Sequence, residues 1–288
     1  MLRDTVRSYF ADLGKKSTFH ISTVEMIPRG GDRRPFHRDF PNLDSARAML
    51  EILSTLPRYD SSKKVELELE RGVYEVVGSC VVPTRRRCLS TYQKTLSVPC
   101  TNVSIVGKGE GETIVHGGFV VEKGRKLRIA GLTVKNASGY GVFASGAGTE
   151  IVLKKMTVEE CQFNGVYVYE GAQLVATECH FHQNGSAGVY VRDSTTTARL
   201  TNCTSHHNTG DGVCANDGAV VDLMGEGTSV HDNEGHGLSA FFDLRPLNGG
   251  STINVYQPCV LNDMSHGNKG QNIYEYSGGI VQQKDSKK

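Results

Sequence analysis

Acidic side chains recur at nearly equal intervals in the second half of the chain, where they could act on a sugar or bind a cation. The series consists of Glu170, Asp193 and Asp217, with Asp243 close to the next position. Carboxylates held side by side raise one another's pKa or recruit a cation such as Ca²⁺. All members except Asp243 also precede Gly or Ser, as expected of residues that form sharp corners. This acidic ladder therefore has two interpretations: a catalytic or cation-binding row, and a row of turns.

Aromatic and polar side chains accompany the acidic ladder. We group them as the aromatic row: Phe143, Tyr167, Tyr169 and Tyr190, followed by Arg192, Asn216 and Phe241. Aromatic faces beside arginine and asparagine suit sugar rings, and they suit a protein partner equally well. We expect the segment 243–250 to overhang this row and to bring Arg245 near Asp217. The predicted partner-binding residues are Tyr167, Tyr169, Tyr190, Arg192, Asn216, Phe241 and Arg245.

Histidines form a third series with the same spacing. This histidine ladder contains His182, His206, His231 and His266, and it follows Glu159. Imidazoles are common metal ligands and titrate near neutral pH. A ladder along one edge, however, points its rings in one direction and lacks a tetrahedral arrangement of ligands. We therefore predict a polar surface ladder and no metal site.

The three series follow one internal repeat that must position them. Its glycines, at successive steps of 24, 23, 24 and 25 residues, are Gly141, Gly165, Gly188, Gly212 and Gly237. Each unit alternates apolar and polar residues at period two, which is typical of strands. A unit this short cannot bury its own apolar face, so stacked units must share one core. The stack predicted at one interior position contains Val142, Val166, Val189, Val213, Leu238 and Ile273.

The repeat predicts an all-β solenoid, a single-stranded right-handed parallel β-helix of roughly eight coils between residues 64 and 282. We expect an apolar-striped helix over 42–56 to cap its open end, where unpaired strand edges invite aggregation. The predicted division is an N-terminal helix and basic irregular segment over 1–41, then the β-helix domain with its capping helix over 42–288. Three asparagines, Asn184, Asn208 and Asn233, are expected to stack at turns and bond the neighbouring coil.

The repeat resembles the right-handed parallel β-helix repeats of the pectate-lyase-like superfamily over roughly 64–282. That resemblance implies the fold, and it raises the possibility of activity on polysaccharides. The stretch 235–239, Gly-His-Gly-Leu-Ser, is similar to the catalytic-histidine motif of polygalacturonases. Those enzymes also need Asn-Thr-Asp and Asp-Asp elements; here Asn208-Thr209 is followed by Gly210, and no Asp-Asp pair occurs. Sister coils place Tyr, Asn, Ala, Asp and Gln at the position of His236, so we predict that His236 is not catalytic.

Composition narrows the function further. The net charge is +1, which gives no electrostatic case for nucleic acid or membrane binding. No run of 18 apolar residues occurs, and the first 18 residues lack an apolar segment of secretory type. The eight cysteines form no Cys-x-x-Cys pair, and because no secretory segment is seen we expect reduced thiols and a cytoplasmic protein. Cys179 and Cys203 share one repeat position and are predicted to be buried.

The leading hypothesis is a non-catalytic scaffold that presents an elongated face to a protein or glycan partner and needs no cofactor. The alternative is a polysaccharide-active enzyme, a lyase, hydrolase or epimerase acting on an acidic glycan. In that case Asp193, Asp217 and Asp243 would hold Ca²⁺ or serve as acids, with Arg245 as base or sugar clamp.

Overall fold

The computed structural model describes residues 18–21, 65–76, 79–83, 89–242 and 250–285, with the backbone alone for 18–21, 79–83 and 89–93. The predicted helix 42–56, most of the segment 1–41, and both Asp243 and Arg245 lie outside the described residues. Within them, no helix is long and apolar enough to span a membrane.

The described chain is made almost entirely of short strands. In chain order they are β1 (Thr18–Ile21), β2 (Val65–Leu69), β3 (Gly72–Glu75), β4 (Ser79–Pro83), β5 (Leu89–Gln93), β6 (Thr95–Ser97), β7 (Val103–Val106), β8 (Thr113–His116), β9 (Gly118–Glu122), β10 (Lys126–Lys135), β11 (Val142–Ser145), β12 (Glu150–Glu159), β13 (Val166–Tyr169), β14 (Gln173–Thr177), β15 (His180–His182), β16 (Val189–Arg192), β17 (Thr197–Thr201), β18 (Thr204–His206), β19 (Val213–Asn216), β20 (Val220–Met224), β21 (Ser229–His231), β22 (Leu238–Phe241), β23 (Thr252–Tyr256), β24 (Ser265–His266), β25 (Ile273–Tyr276) and β26 (Ile280–Lys284). One short helix, α1 (Leu261–Met264), precedes β24.

The strands wind into a parallel solenoid with three faces. The first face has the order β1-β2-β7-β10-β12-β14-β17-β20-β23-β26. The second face contains β3, β8, the second halves of β10 and β12, and then β15, β18, β21 and β24. The third face has the order β6-β9-β11-β13-β16-β19-β22-β25, one strand for each of eight coils. Only β4 and β5, among the described strands, pair antiparallel.

Apolar side chains fill the interior because strand residues alternate between inside and outside. The predicted stack exists in full register: Val142, Val166, Val189, Val213, Leu238 and Ile273 pair in succession. All but Ile273, in the last coil, are buried. Leu153, Ala176 and Leu200 form a matching stack on the first face. The prediction of roughly eight stacked coils is confirmed.

The corners between faces are made by residues in the left-handed conformation. In the coil that contains β14, these residues are Glu170 with Gly171, then Glu178, then Gln183, with φ of 54°, 82°, 54° and 55°. The next coil repeats the pattern at Asp193, Asn202 and His207. Three such bends per coil close the triangle, and this regular geometry keeps each outward side chain above its counterpart in the next coil.

Asparagines stack inside the corner between the second and third faces. Asn184, Asn208 and Asn233 are wholly buried, and each Nδ2 donates to Oδ1 of the next asparagine at 2.8–3.0 Å, ending on Asn268. Each backbone N–H also donates to the next asparagine side chain. The predicted ladder is confirmed, but the left-handed position is taken by the residue before each asparagine. The amide side chains satisfy backbone groups that would be costly to bury unpaired.

Cysteines lie in the interior at neighbouring corners. Cys179 and Cys203 are buried and free, as predicted, and each thiol donates to a carbonyl oxygen two residues earlier, at 3.3 and 3.4 Å. The hydrogen bond with the neighbouring Cys203 thiol, together with burial, raises the pKa of Cys179. Cys179 therefore behaves as a small core residue and a poor nucleophile.

Candidate functional site

The aromatic row lies on the outer side of the third face, in two columns. Phe143, Tyr167 and Tyr190 are directly stacked, and Cys214, Ser239 and Tyr274 continue their column. The second column runs from Ser145 and Tyr169 to Arg192, Asn216, Phe241 and Tyr276. The structure thus places all the predicted binding residues that it describes in these two columns, but Arg192 and Asn216 are buried and were wrongly expected to be exposed.

The rings pack against one another as well as facing outward. Tyr167 lies 5.5 Å from Phe143 and 5.3 Å from Tyr190, in edge-to-face geometry with interplanar angles of 71° and 78°. Tyr169 is nearly parallel to Tyr167 at 5.9 Å, and the Arg192 guanidinium lies 5.5 Å from the centre of the Tyr169 ring. Phe143 is buried, whereas the tyrosines are half-buried. Such mutual packing fixes the orientation of each ring before any partner binds.

Two groups of aromatic residues were missed by the sequence analysis. Tyr140 joins the aromatic row with ring centres 5.0 Å from Tyr167 and 5.7 Å from Phe163. At the other end, Tyr274 stacks on the His236 ring at 4.2 Å. A signal existed for Tyr274, since the register of the interior stack aligns it with Tyr190. Tyr140 occupies a corner position outside the strand pattern and gave no such signal.

A buried ion pair joins the aromatic row to the acidic ladder. Arg192 Nε donates to Asp217 Oδ2 at 2.6 Å, and the two side chains are only 6% and 4% exposed. Burial opposes the charge on the guanidinium, but the hydrogen bond and charge of Asp217 outweigh it, so the pKa of Arg192 is raised. The Asn216 side chain in the same column donates to Tyr190 Oη at 2.6 Å. These hydrogen bonds fix the orientations of Arg192, Asp217, Asn216 and Tyr190 relative to one another.

The acidic ladder itself is a row of corners. Glu170, Asp193 and Asp217 have φ of 54°, 82° and 54°, so each forms the left-handed bend that leads from the third face to the first. Their exposure falls along the series, from the exposed Glu170 to the buried Asp217. After β22 the same register position holds Phe242, because Asp217 N donates to Phe241 O as Asp193 N donates to Asn216 O. Turn formation accounts for the series, and no group of three or more metal-binding side chains occurs among the described residues.

His236 is held by structural contacts. Its Nδ1 accepts a hydrogen bond from Gln271 N at 2.9 Å, and its ring stacks on Tyr274 at an interplanar angle of 6°. The Asp211 carboxylate accepts from the backbone N of His236 at 2.7 Å. The Asp211 carboxylate therefore contacts the peptide group of His236 and not its imidazole.

The sequence matches the family of right-handed β-helix regions over residues 111–257, just over half of the chain. The protein belongs to this family, and the solenoid is a right-handed parallel β-helix, as predicted. No curated protein matches the chain.

Several solved structures are similar to this chain at low identity. Pectate lyase Pel9A is 11% identical, with 97% of this chain and 80% of that one covered at a TM-score of 0.48. Pectin methylesterase PemA from Erwinia chrysanthemi is 8% identical, with coverages of 95% and 90% and a TM-score of 0.49. ORF18 of Geobacillus virus E2 is 11% identical, with coverages of 83% and 58% and a TM-score of 0.37. The chain thus spans little more than half of that viral protein. Identities this low carry no activity over to this chain.

Proposed function

We propose that this protein is a non-catalytic binding protein that presents the third face of its β-helix to a protein or glycan partner. The observation that carries the proposal is the burial of one acidic-ladder residue in an ion pair with the aromatic row. Asp217 is buried and ion-paired with Arg192 at 2.6 Å, so its carboxylate is already neutralised by a neighbour. A general acid or base must reach the substrate, and a buried ion pair gives a substrate no such access.

The aromatic row supplies the contact area. Tyr167 and Tyr190 are half-buried, oriented by edge-to-face packing, and aligned along the axis of the solenoid. Tyrosines with fixed rings lose little conformational entropy on binding, and residues of this type dominate the binding energy of many interfaces. Repeat proteins commonly bind along such extended surfaces.

The proposal is tested by replacing both tyrosines. The Tyr167→Ala/Tyr190→Ala double variant should lose binding to glycans on an array, or to a purified protein partner, while remaining folded by circular dichroism. Tyr256→Ala, an aromatic deletion on the first face, is the matched control and should retain binding. Equal binding by both variants would refute the third face as the binding surface.

The same preparation separates binding from catalysis. A polyuronate lyase assay with and without added Ca²⁺ should show no turnover by the wild-type protein. Turnover that disappears in Asp193→Asn and Asp217→Asn would establish the enzymatic alternative in place of our proposal, and a requirement for Ca²⁺ would identify a lyase-type cation site.

We further propose that the protein works in a reducing, cytoplasmic compartment. Cys161, Cys179, Cys203 and Cys259 are buried in the interior and form no disulfide, and packing accounts for their positions without a bridge. Alkylation followed by mass spectrometry should find all of these thiols reduced, with modification only after denaturation. A native bridge between Cys179 and Cys203 would contradict this compartment.

A further inference from the structure

Four imidazoles on the outer side of the second face form one continuous stack. Ring centres lie 4.9 Å apart between His182 and His206, 5.0 Å between His206 and His231, and 5.2 Å between His231 and His266. The planes differ by only 8–9°. These residues pair in register on adjacent parallel strands, so the backbone holds the four rings at the spacing of the coils.

The ring nitrogens also have partners at the corner. The Nδ1 contacts are His182 with Gln183 Oε1 at 3.2 Å, His206 with His207 Nδ1 at 2.8 Å, and His231 with Asp232 Oδ2 at 2.8 Å. The three partners occupy equivalent left-handed positions, each directly before a member of the buried asparagine ladder. The stack and the ladder are thus two sides of the same corner.

The rings of the stack differ in the charged groups that lie beside them. Glu159 Oε2 lies 3.3 Å from His182 Nε2, although Lys135 shares this carboxylate at 3.0 Å. His231 has the carboxylate of Asp232, whose pKa is lowered first of all by the hydrogen bond to that imidazole. A proton on either of these rings therefore lies beside a negative charge.

His206, between them, is surrounded by other imidazoles. Its ring contacts are His182 and His231 above and below, and His207 at its edge in T-shaped geometry. The adjacent outward column contributes Thr204 and His180, and the latter is bound to Thr204 Oγ1 at 2.7 Å with Glu110 lying 3.9 Å from its Nε2. The described residues give His206 no carboxylate within ion-pair distance. Burial, followed by the charges of His182, His231 and His207, lowers its pKa to about 4.

We propose that the histidine ladder is an acid-sensitive device: His206 must stay neutral for the coils to remain stacked at this corner, and its protonation loosens the turn between the second and third faces. The metal alternative is disfavoured by geometry, since parallel rings about 5 Å apart cannot offer two nitrogens to one ion at the roughly 2 Å that metal–imidazole bonds require. The corner that would loosen is also the one that leads into the strands carrying the aromatic row.

The sign of the pH dependence follows from linkage. A histidine with an ordinary pKa of about 6.5 in the unfolded chain and a lower one in the folded protein binds its proton more readily when unfolded. The stabilisation is therefore complete above about pH 6.5 and is lost as the pH falls towards 4.

The first test uses the wild-type protein. In a pH titration of the histidine ring signals by NMR, His206 should remain neutral down to below pH 5. Hydrogen exchange, corrected for the intrinsic rate at each pH, should show increased opening of 182–184, 206–208 and 231–233 at pH 4.5. Ordinary titration of His206 near pH 6.5 would overturn the proposal.

Variants test the same device through the slope of Tm against pH, whatever their absolute stability. His206→Gln removes the central proton acceptor and should reduce the loss of Tm between pH 6.5 and 4.5 by at least half. Glu159→Gln removes the carboxylate beside His182 and should enlarge that loss. His116→Gln is the control, because this imidazole faces Glu75 at 2.6 Å on a distant coil, and it should not flatten the slope. A wild-type slope in His206→Gln would refute the proposal.

Discussion

The second and third faces are formed by the same coils, but their outward positions differ in how strictly a residue type is repeated from coil to coil. On the second face, four coils place histidine at one position, and the rings form a uniform stack. On the third face, the equivalent column changes from phenylalanine and tyrosine to cysteine, serine and tyrosine. Where a side chain gains from contact with its own kind in the next coil, repetition stabilises the solenoid. Where residue types change from coil to coil, the surface has shape and charge that a partner could recognise.

The largest expected effect breaks the interior that both faces share. Val189→Asp would bury a charge in the wholly apolar stack between Val166 and Val213. Burial of an unpaired carboxylate without partners should lower the free energy of unfolding by several kcal/mol, on the order of 5. Chemical denaturation monitored by circular dichroism measures this loss. If Val189→Asp melted with the parent, the two faces would not share the interior described here.

A second substitution breaks the varied face. Arg192→Ala leaves Asp217 buried beside Tyr190 and Asn216 without the 2.6 Å ion pair, and should cost about 3–5 kcal/mol. The double variant Arg192→Met/Asp217→Asn removes both charges and keeps a residue type that tolerates the left-handed corner, so it should recover part of that loss. Differential scanning calorimetry of both variants decides. If Arg192→Ala lowered the free energy of unfolding by less than about 1 kcal/mol, the ion pair would contribute little to the stability of this face.

A third substitution breaks the repeated corner. Asn208→Ala removes the side chain that accepts from both N and Nδ2 of Asn184 and donates to Phe181 O. These buried groups would be left without hydrogen-bond partners, which should lower the free energy of unfolding by about 2–3 kcal/mol. The matched control is Asn202→Ala, which changes an exposed asparagine at the preceding corner of the same coil. It should lower the free energy of unfolding by less than Asn208→Ala does. Equal losses from the two variants would contradict the central place of the ladder in the stability of the corner.

The smallest expected effect concerns His236, at the end of the third face. His236→Ala removes a ring stack with Tyr274 and one acceptor for Gln271 N, both at the partly exposed end of the solenoid. We expect a loss within about 1 kcal/mol and no change in partner binding. Glycan turnover present in the wild type and abolished by His236→Ala alone would restore this histidine as a catalytic residue.

The sequence repeat determined most of the fold for a simple physical reason. A parallel solenoid stacks equivalent residues about 4.8 Å apart, so aligning the repeats gives spatial neighbours directly. The valine stack, the asparagine ladder and the histidine ladder all follow from that alignment. The interior position of Cys179 and Cys203 follows from it too, because strand alternation assigns a side to each residue.

The alignment of the repeats could not predict contacts between residues at non-equivalent positions of the repeat. Tyr140 joins the aromatic row from a corner, and Arg192 reaches across one coil to Asp217. Both contacts depend on the direction of long side chains and not on their register. The acidic ladder illustrates the same limit: its spacing suggested a row of similar carboxylates, yet exposure differs from Glu170 to Asp217.

The sequence by itself thus determined the coil, its register and the identity of the ladders, because these depend on period-two alternation and on a repeat near 24 residues. The tertiary structure alone decided which of the outward residues are accessible to a partner and which are already bonded to neighbouring residues. It paired Asp217 with Arg192, gave the Asp211 carboxylate to the backbone of His236, and placed His206 among imidazoles while its neighbours kept carboxylates. The physical reason is that burial and hydrogen-bond partners depend on distances across coils and faces, which the repeat spacing does not encode.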